Sequence, residues 1–235
     1  MWLPASFLCF SPEVDVAAGI VVGVLGIDAV RHANDRRYLG LALIPVILGI
    51  HQLVEAVAWW GLEGKVDAAT GESAITLYLA LAFVVVPLLV PLAIVGIEPD
   101  LTRRRWMVPS LVAGCVSASV LALALAEGPV RAAIGGRYIA YSVQLEQGGL
   151  IVVLYVVATC VPLLLSSDRR LVTFGAANVV VVAGLSWLQA TALISLWCAW
   201  AAVGSITIAA YVRSAAVRRP DGGTRPKLPH RSITV

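Results

Sequence analysis

The sequence predicts an all-α protein, a bundle of seven transmembrane helices with its amino terminus outside the cell and its carboxyl terminus in the cytoplasm. Composition and charge pattern both indicate this class. Apolar residues make up 60% of the 235 residues and charged residues only 13%, and the mean hydropathy is +0.90. Soluble domains rarely reach such values. Of the 17 Lys and Arg residues, 14 lie in four clusters, at positions 31–37, 103–105, 169–170 and 213–231.

The spacing of these clusters sets the number and direction of the helices. About two apolar stretches of membrane-spanning length, roughly 20 residues each, separate neighbouring clusters. Lys65, Arg131 and Arg137 fall in the alternate loops. Because Lys and Arg accumulate in cytoplasmic loops, we expect the clusters to mark the cytoplasmic side of a bacterial inner membrane. The formal charge of +3 reflects this bias, so membrane lipids are expected partners and nucleic acid is not.

Turn and cap residues predict where the helices begin and end. Ser11 and Pro12 form a helix start, and the first helix runs to about Val30. The other six are predicted at about 38–62, 74–97, 106–126 and 150–165, and on either side of a tight turn near Trp187 and Gln189. These helices form one transmembrane domain, 1–213. Residues 214–235, which are basic and rich in Pro and Gly, are expected to form a disordered tail.

Glycines and prolines inside the predicted helices indicate how the bundle packs. Gly19, Gly23 and Gly26 give the first helix a small-residue face that is typical of close contact with another helix. Pro87 and Pro91 lie one turn apart in the third helix. Each proline removes a backbone donor, so we expect a kink there, with freed carbonyls that find partners inside the bundle.

Acidic residues near the basic loops are expected to have structural roles. Asp35, Asp100 and Asp168 each stand shortly before an Arg-Arg pair, where the side chain can cap the helix that follows. Asp28, at the cytoplasmic end of the first helix, is predicted to pair with Arg31.

Four ionisable residues are predicted to lie together in the outer half of the membrane. Glu13 and Asp15 begin the first helix, and His51 and Glu55 lie near the outer end of the second. A charged group costs about 2.5 to 3.5 kcal/mol at the centre of a membrane helix, so it is rarely present without a role. His51 and Glu55 are four residues apart and share one helix face, which Gln52 borders.

Cys9 and Ser11 complete a predicted polar pocket that opens outward between the first two helices. Glu55, His51 and Cys9 are the candidates for a metal ligand. A structural alternative stays open. Glu13 and Asp15 would then only complement the helix dipole, and Glu55 would accept a hydrogen bond that joins the two helices.

Several segments resemble a family of uncharacterised bacterial multi-pass membrane proteins whose members typically begin Met-Cys-Phe-Ser. The matching segments are 9–11, 43–45, the Gln52-x-x-Glu55-x-x-x-Trp59 motif, 87–91, 162–167, 174–175 and 196–198. The resemblance implies the multi-pass architecture and no established activity. The family has Gln-Gln where this chain has His51-Gln52, which favours Glu55 and Gln52 over His51. The family's start would fall just before Cys9, so both Met1 and Leu8 are candidate initiation sites.

The residues exclude some functions and leave three hypotheses. No Lys lies on the last helix to bind retinal, and no glycine loop indicates a nucleotide site. The leading hypothesis is transport or sensing of a small solute, such as a proton or cation. Glu55 would titrate, Gln52 would orient it, and Trp59 and Trp60 would anchor the outer end. The alternatives are a lipid-acting, metal-dependent hydrolase within the membrane and a non-catalytic assembly subunit. A homo-oligomer is compatible with each.

Overall fold

The computed structural model describes residues 11–135, 138–145, 147–188 and 193–217, and their side chains except within 185–199. The helices are α1 (Pro12–His32), α2 (Leu39–Leu62), α3 (Ala68–Ala80), α4 (Val86–Ile97), α5 (Leu101–Glu127), α6 (Gly148–Leu165), α7 (Arg169–Leu188) and α8 (Leu193–Val217). A π-helical turn, Leu81–Val85, joins α3 and α4 into one continuous helix. The described residues therefore form seven helical rods, and the predicted all-α bundle of seven helices is confirmed.

Most of these rods have the length and composition of membrane spans. Five stretches are long and apolar enough to cross a membrane: Arg36–Leu62, Ala68–Ile97, Leu101–Glu127, Gly148–Leu165 and Trp200–Val217. The architecture is that of a multi-pass membrane protein. We call the end of the bundle that carries the 31–37 loop the basic end. The opposite end, where α1 begins and α2 ends, is the hairpin end.

Within the described ranges, α1 and α2 pack together more extensively than any other pair of helices. A Cβ added to Gly26 would lie 2.5 Å from the backbone nitrogen of Val46, and a Cβ on Gly49 would lie 2.7 Å from that of Gly23. A Cβ on Gly19 would lie 3.0 Å from the Gly49 carbonyl oxygen. The predicted small-residue face is confirmed at Gly19 and Gly26, where the two helices meet at backbone distance, whereas a Cβ on Gly23 would meet no atom within 4 Å.

Prolines distort the helix that α3 and α4 share. Pro87 has no N–H, and the Val86 N–H bonds to the Leu81 carbonyl within the π-helical turn. The Ala82 carbonyl is therefore left without a helical donor, and the Tyr155 hydroxyl of α6 donates to it at 2.9 Å. The expectation that a freed carbonyl finds a partner inside the bundle is confirmed.

The second proline exposes another carbonyl to α5. Pro91 cannot donate to the Pro87 carbonyl one turn earlier. Gly114 of α5 lies so close to the Pro87 oxygen that an added Cβ would collide with it. A glycine at this position lets α4 and α5 approach at backbone distance, where a Cα–H can face the oxygen.

The loop between α5 and α6 contains a β-hairpin that was not among the sequence predictions. β1 (Val130–Ile134) and β2 (Ile139–Val143) pair antiparallel, with Ile134 opposite Ile139. Ile139 is 1% exposed and packs in a cluster with Trp59 of α2. A two-stranded hairpin is marginally stable alone, so this packing against the helices stabilises it.

The basic end is ordered by its acidic caps. Asp35, Asp100 and Asp168 each accept a hydrogen bond from the backbone N–H two residues later, at 3.0, 2.8 and 2.9 Å. The predicted capping role of these three residues is confirmed.

Asp28 joins α1 to α8, and it also lies 3.5 Å from the His32 imidazole of its own helix. The Arg213 guanidinium of α8 donates to both Asp28 oxygens, at 2.5 and 2.6 Å. The prediction that Arg31 is the direct partner was wrong, because α1 packs against α8 and receives a cation from there. α8 also continues as helix to Val217, beyond the predicted boundary at 213, and 218–235 lie outside the described residues.

Candidate carboxylate site between α1 and α2

Asp15 lies on the face of α1 that packs into the bundle. The buried residues of α1 recur every three or four positions: Pro12, Asp15, Gly19, Val22, Gly26 and Ala29. Asp15 is 3% exposed, whereas Glu13, two residues earlier, is an exposed residue. Residues two positions apart point to different faces of an α-helix. Only Asp15 of the two first-turn acids therefore lies in the interface with α2.

Glu55 of α2 and Asp15 of α1 form a buried acidic pair. Glu55 is 1% exposed, as is Gln52 one turn before it. The two carboxylates are close enough to interact electrostatically. Asp15 Oδ2 is buried and has no hydrogen-bond partner among the described residues. Two negative charges so placed, with an unsatisfied oxygen, are unfavourable when both groups are ionised.

Trp59 adds an aromatic donor to this site. It follows Glu55 by one turn on the same face of α2 and is 4% exposed. Its indole N–H faces the Asp15 carboxylate without reaching a hydrogen bond of ordinary geometry. The Trp59 side chain is buried beneath the hairpin, and the role of Trp59 and Trp60 in anchoring the outer end stays a prediction.

His51 is turned toward α3 and the hairpin. Its ring stacks on that of Tyr78 with 3.9 Å between centroids, and Tyr78 stacks on Tyr141 of β2 at 4.8 Å. The imidazole also makes a hydrogen bond with the backbone of Tyr78. This three-ring stack links the helix that carries Glu55 to the hairpin. The tyrosines were missed as site residues because no local pattern indicates which helix faces which loop.

Of the other predicted pocket residues, Ser11 and Glu13 lie nearer the surface and Cys9 is not among the residues that the structure describes. Ser11 is the N-cap of α1, as predicted, but its side chain makes no cap hydrogen bond. Glu13 is exposed and interacts with the Ser11 hydroxyl and with the charge of Lys65. Cys9 lies outside the described residues. The structure therefore brings Asp15 and Glu55 together and leaves Glu13 exposed.

Two cavities among the described residues are lined by other side chains than those of the predicted site. One is an apolar cavity between α2, α4, α6, α7 and α8, and the other is a groove between α7 and α8. The acidic pair is thus packed into a helix interface, and the predicted outward-facing pocket around it stays a prediction.

The chemistry open to this site is that of two carboxylates. Within the described part of the chain, no group of three or more His, Cys, Asp or Glu side chains could hold a metal ion. Two buried carboxylates that interact electrostatically can exchange a proton with their surroundings, because a proton on either group removes the repulsion between them. Gln52 is buried one turn from Glu55, where an amide can orient a carboxyl group.

Sequence comparison places the chain in a family. A match covering residues 8–223 is found to a family described as "Family of unknown function (DUF6629)". The chain belongs to the DUF6629 family. No curated protein matches the chain, and no solved structure matches it. The expected membership of an uncharacterised family is confirmed, while the Met-Cys-Phe-Ser motif and the bacterial origin of DUF6629 proteins stay predictions.

Proposed function

We propose that this protein is a proton sensor of the membrane, in which the buried pair of Asp15 and Glu55 takes up and releases a proton. The observation that carries the proposal is the position of Asp15. Its Oδ2 atom is buried, has no partner among the described residues, and belongs to a carboxylate that interacts with that of Glu55. A proton on either group relieves both the repulsion and the cost of burial.

The depth of the pair favours sensing over passage across the membrane. Asp15 lies within the first turn of α1, and Glu55 lies seven residues, about 10 Å, from the end of α2 at Leu62. Toward the basic end, the bundle is filled by an apolar cluster that includes Ala29, Leu41 and Ile94. A proton therefore reaches the pair from the hairpin end and returns the same way.

Loss of the proton would change the contact between α1 and α2. Two like charges repel strongly where little water screens them. Because Gly19 and Gly49 hold the backbones together close to the pair, the repulsion is relieved by separation of the helices at the hairpin end. The stack of His51, Tyr78 and Tyr141 passes this movement to β2.

The direction of sensing follows from the distribution of basic residues. Arg31, Arg103, Arg170 and Arg213 all belong to the basic end, where Arg170 also contacts Ser214. We propose that this end faces the cytoplasm of a bacterium, in line with the bias of cytoplasmic loops. The hairpin end then faces outward, and the pair responds to external pH.

Hydrogen exchange of the full-length protein in liposomes tests the proposal. Exchange of hairpin amides 130–143 should be slow at acidic external pH and at least tenfold faster at alkaline external pH, after correction for intrinsic rates. Asp15→Asn and Glu55→Gln should each abolish that extra increase. Glu13→Gln is the matched control, because it neutralises an exposed acid on the same turn of α1, and it should behave as the wild type.

Two results would overturn the proposal. One is a hairpin whose corrected exchange is independent of external pH in the wild type. The other is a pH response that persists in both Asp15→Asn and Glu55→Gln. A pH-sensitive dye inside the same liposomes separates sensing from transport. A sustained proton flux into the liposomes that is lost in Glu55→Gln would show that the pair conducts protons across the membrane.

A further inference from the structure

A groove between α7 and α8 has the features of a lipid site. α7 and α8 are consecutive helices of the bundle, and residues of both line the same space. The space between them forms a groove of about 670 Å³, which lies within the range of about 300 to 1,000 Å³ for small-molecule sites. The groove is independent of the acidic pair, which lies between α1 and α2.

The walls of the groove are apolar and aromatic over most of their length. Leu171 and Phe174 of α7 face Ile206 and Ile208 of α8 across it. Ile206 is 56% exposed. At the far end from the basic loops, the Trp200 indole donates to Asn178 Oδ1 at 2.6 Å, which joins the two helices there. Such walls suit a hydrocarbon chain.

The basic end of the groove carries the cation of Arg170. Arg170 lines the groove beside Thr173, and its guanidinium donates to Ser214 Oγ at 3.1 Å. No acidic side chain in the described ranges forms an ion pair with Arg170, whereas Arg213 is paired with Asp28. An arginine has five N–H donors, so Arg170 keeps donors that suit a phosphate group.

We propose that this groove binds an anionic phospholipid. Its phosphate would accept hydrogen bonds from Arg170, and one acyl chain would lie between α7 and α8 toward Trp200. Charge complementarity selects this occupant, because the cation lies where a bundle of membrane helices meets the headgroup layer and the apolar walls run from there toward the bilayer core.

Lipid-dependent stability of the full-length protein in detergent tests the site. Phosphatidylglycerol should raise the unfolding temperature at lower concentration than phosphatidylcholine with the same acyl chains. Arg170→Gln should weaken the apparent affinity for phosphatidylglycerol roughly tenfold, the effect of losing a charge-assisted contact of about 1.4 kcal/mol. The matched control is Arg169→Gln, which removes an equal charge from the neighbouring position that does not line the groove.

A second pair of variants tests the apolar part. Ala177→Phe should fill the groove and lower the affinity, whereas Ala176→Phe, on an exposed position outside it, should not. The proposal is overturned if phosphatidylcholine stabilises equally, or if Arg169→Gln weakens binding as much as Arg170→Gln. Equal stabilisation by soluble glycerol 3-phosphate would assign the cation to a free phosphate instead and would also overturn it.

Discussion

Two buried carboxylates at opposite ends of the bundle differ in how fully their oxygens are satisfied. Glu98, between α4 and α5, is 3% exposed and accepts hydrogen bonds from Ser166 Oγ, the Ser167 N–H and the Asp100 N–H, at 3.2, 2.8 and 3.1 Å. Asp15 is equally buried, but its Oδ2 has no partner in the described part of the chain. Two acids that are equally buried can therefore differ in how well their oxygens are satisfied by hydrogen-bond donors.

The donors around Glu98 decide its charge. Burial by itself raises the pKa of Glu98, but the hydrogen bonds from Ser167, Asp100 and Ser166 outweigh it and leave the pKa below its usual value. Glu98 stays ionised and ties the α4–α5 link to the α6–α7 link. At the other end, Asp15 faces another acid, and this arrangement favours proton exchange over a fixed charge.

The largest expected difference between Glu98 and Asp15 is in their contribution to the free energy of unfolding. Glu98→Ala should lower the free energy of unfolding by roughly 3 kcal/mol, because it removes an acceptor of charge-assisted hydrogen bonds and leaves buried donors unpaired. Asp15→Asn should not lower it, since the amide has a similar shape and removes the repulsion with Glu55. Unfolding in mixed micelles would measure both free energies. A larger loss of stability for Asp15→Asn than for Glu98→Ala would contradict the proposed difference between the two carboxylates.

The packing that creates the acidic pair can be tested next. Gly49→Ala should destabilise the protein by about 2 kcal/mol, because the new Cβ would lie 2.7 Å from the Gly23 backbone nitrogen and force α1 and α2 apart. Gly23→Ala is the matched control, since a Cβ there meets no atom within 4 Å. The same unfolding assay should show little loss for this variant, and equal losses would refute the close-contact explanation.

The pH dependence of stability should identify Glu98 as an ionised group. Because its pKa in the folded state is below the usual value of 4.5, its stabilisation is present above that value and is lost as the pH falls through the folded pKa. Wild-type protein should be more stable than Glu98→Gln at neutral pH, with the gap closing in acid. If the difference in stability between the wild type and Glu98→Gln widened in acid, Glu98 would not be ionised in the folded protein.

The smallest expected effect is at the proline kink. Tyr155→Phe should cost about 0.6 kcal/mol, the average for a hydrogen bond between membrane helices, because the Ala82 carbonyl loses its donor. The Ala82 carbonyl is a neutral acceptor, whereas Glu98 is a charged one. The substitution therefore measures how much less a neutral acceptor loses when its donor is removed. The control is Thr159→Val, which removes a hydroxyl that is hydrogen-bonded within α6 itself. A greater loss of stability in Thr159→Val than in Tyr155→Phe would contradict the role of Tyr155.

Much of the fold could be predicted because membrane helices are encoded locally. The apolar runs, the alternation of basic loops and the caps at Asp35, Asp100 and Asp168 are properties of short segments. The β-hairpin could not be predicted in this way, because its stability depends on the packing of Ile139 and Tyr141 against α2 and α3.

The candidate site was predictable in composition but not in arrangement. Asp15 stands four residues before Gly19, so the glycine face of α1 already indicates that Asp15, and not Glu13, turns toward α2. Reading the two acids as equivalent missed this signal. The pairing of Asp28 with Arg213 depends on a contact between residues 185 positions apart, which no local pattern contains.

Infrared difference spectroscopy across a pH titration tests the central claim most directly. In liposomes, the wild-type protein should show a carbonyl-stretch band of a protonated carboxyl group that disappears as the pH rises. The band should be lost or shifted in both Asp15→Asn and Glu55→Gln and unchanged in Glu13→Gln. A wild-type spectrum without such a band at any pH, or a band that remains unchanged in both pair variants, would contradict the account.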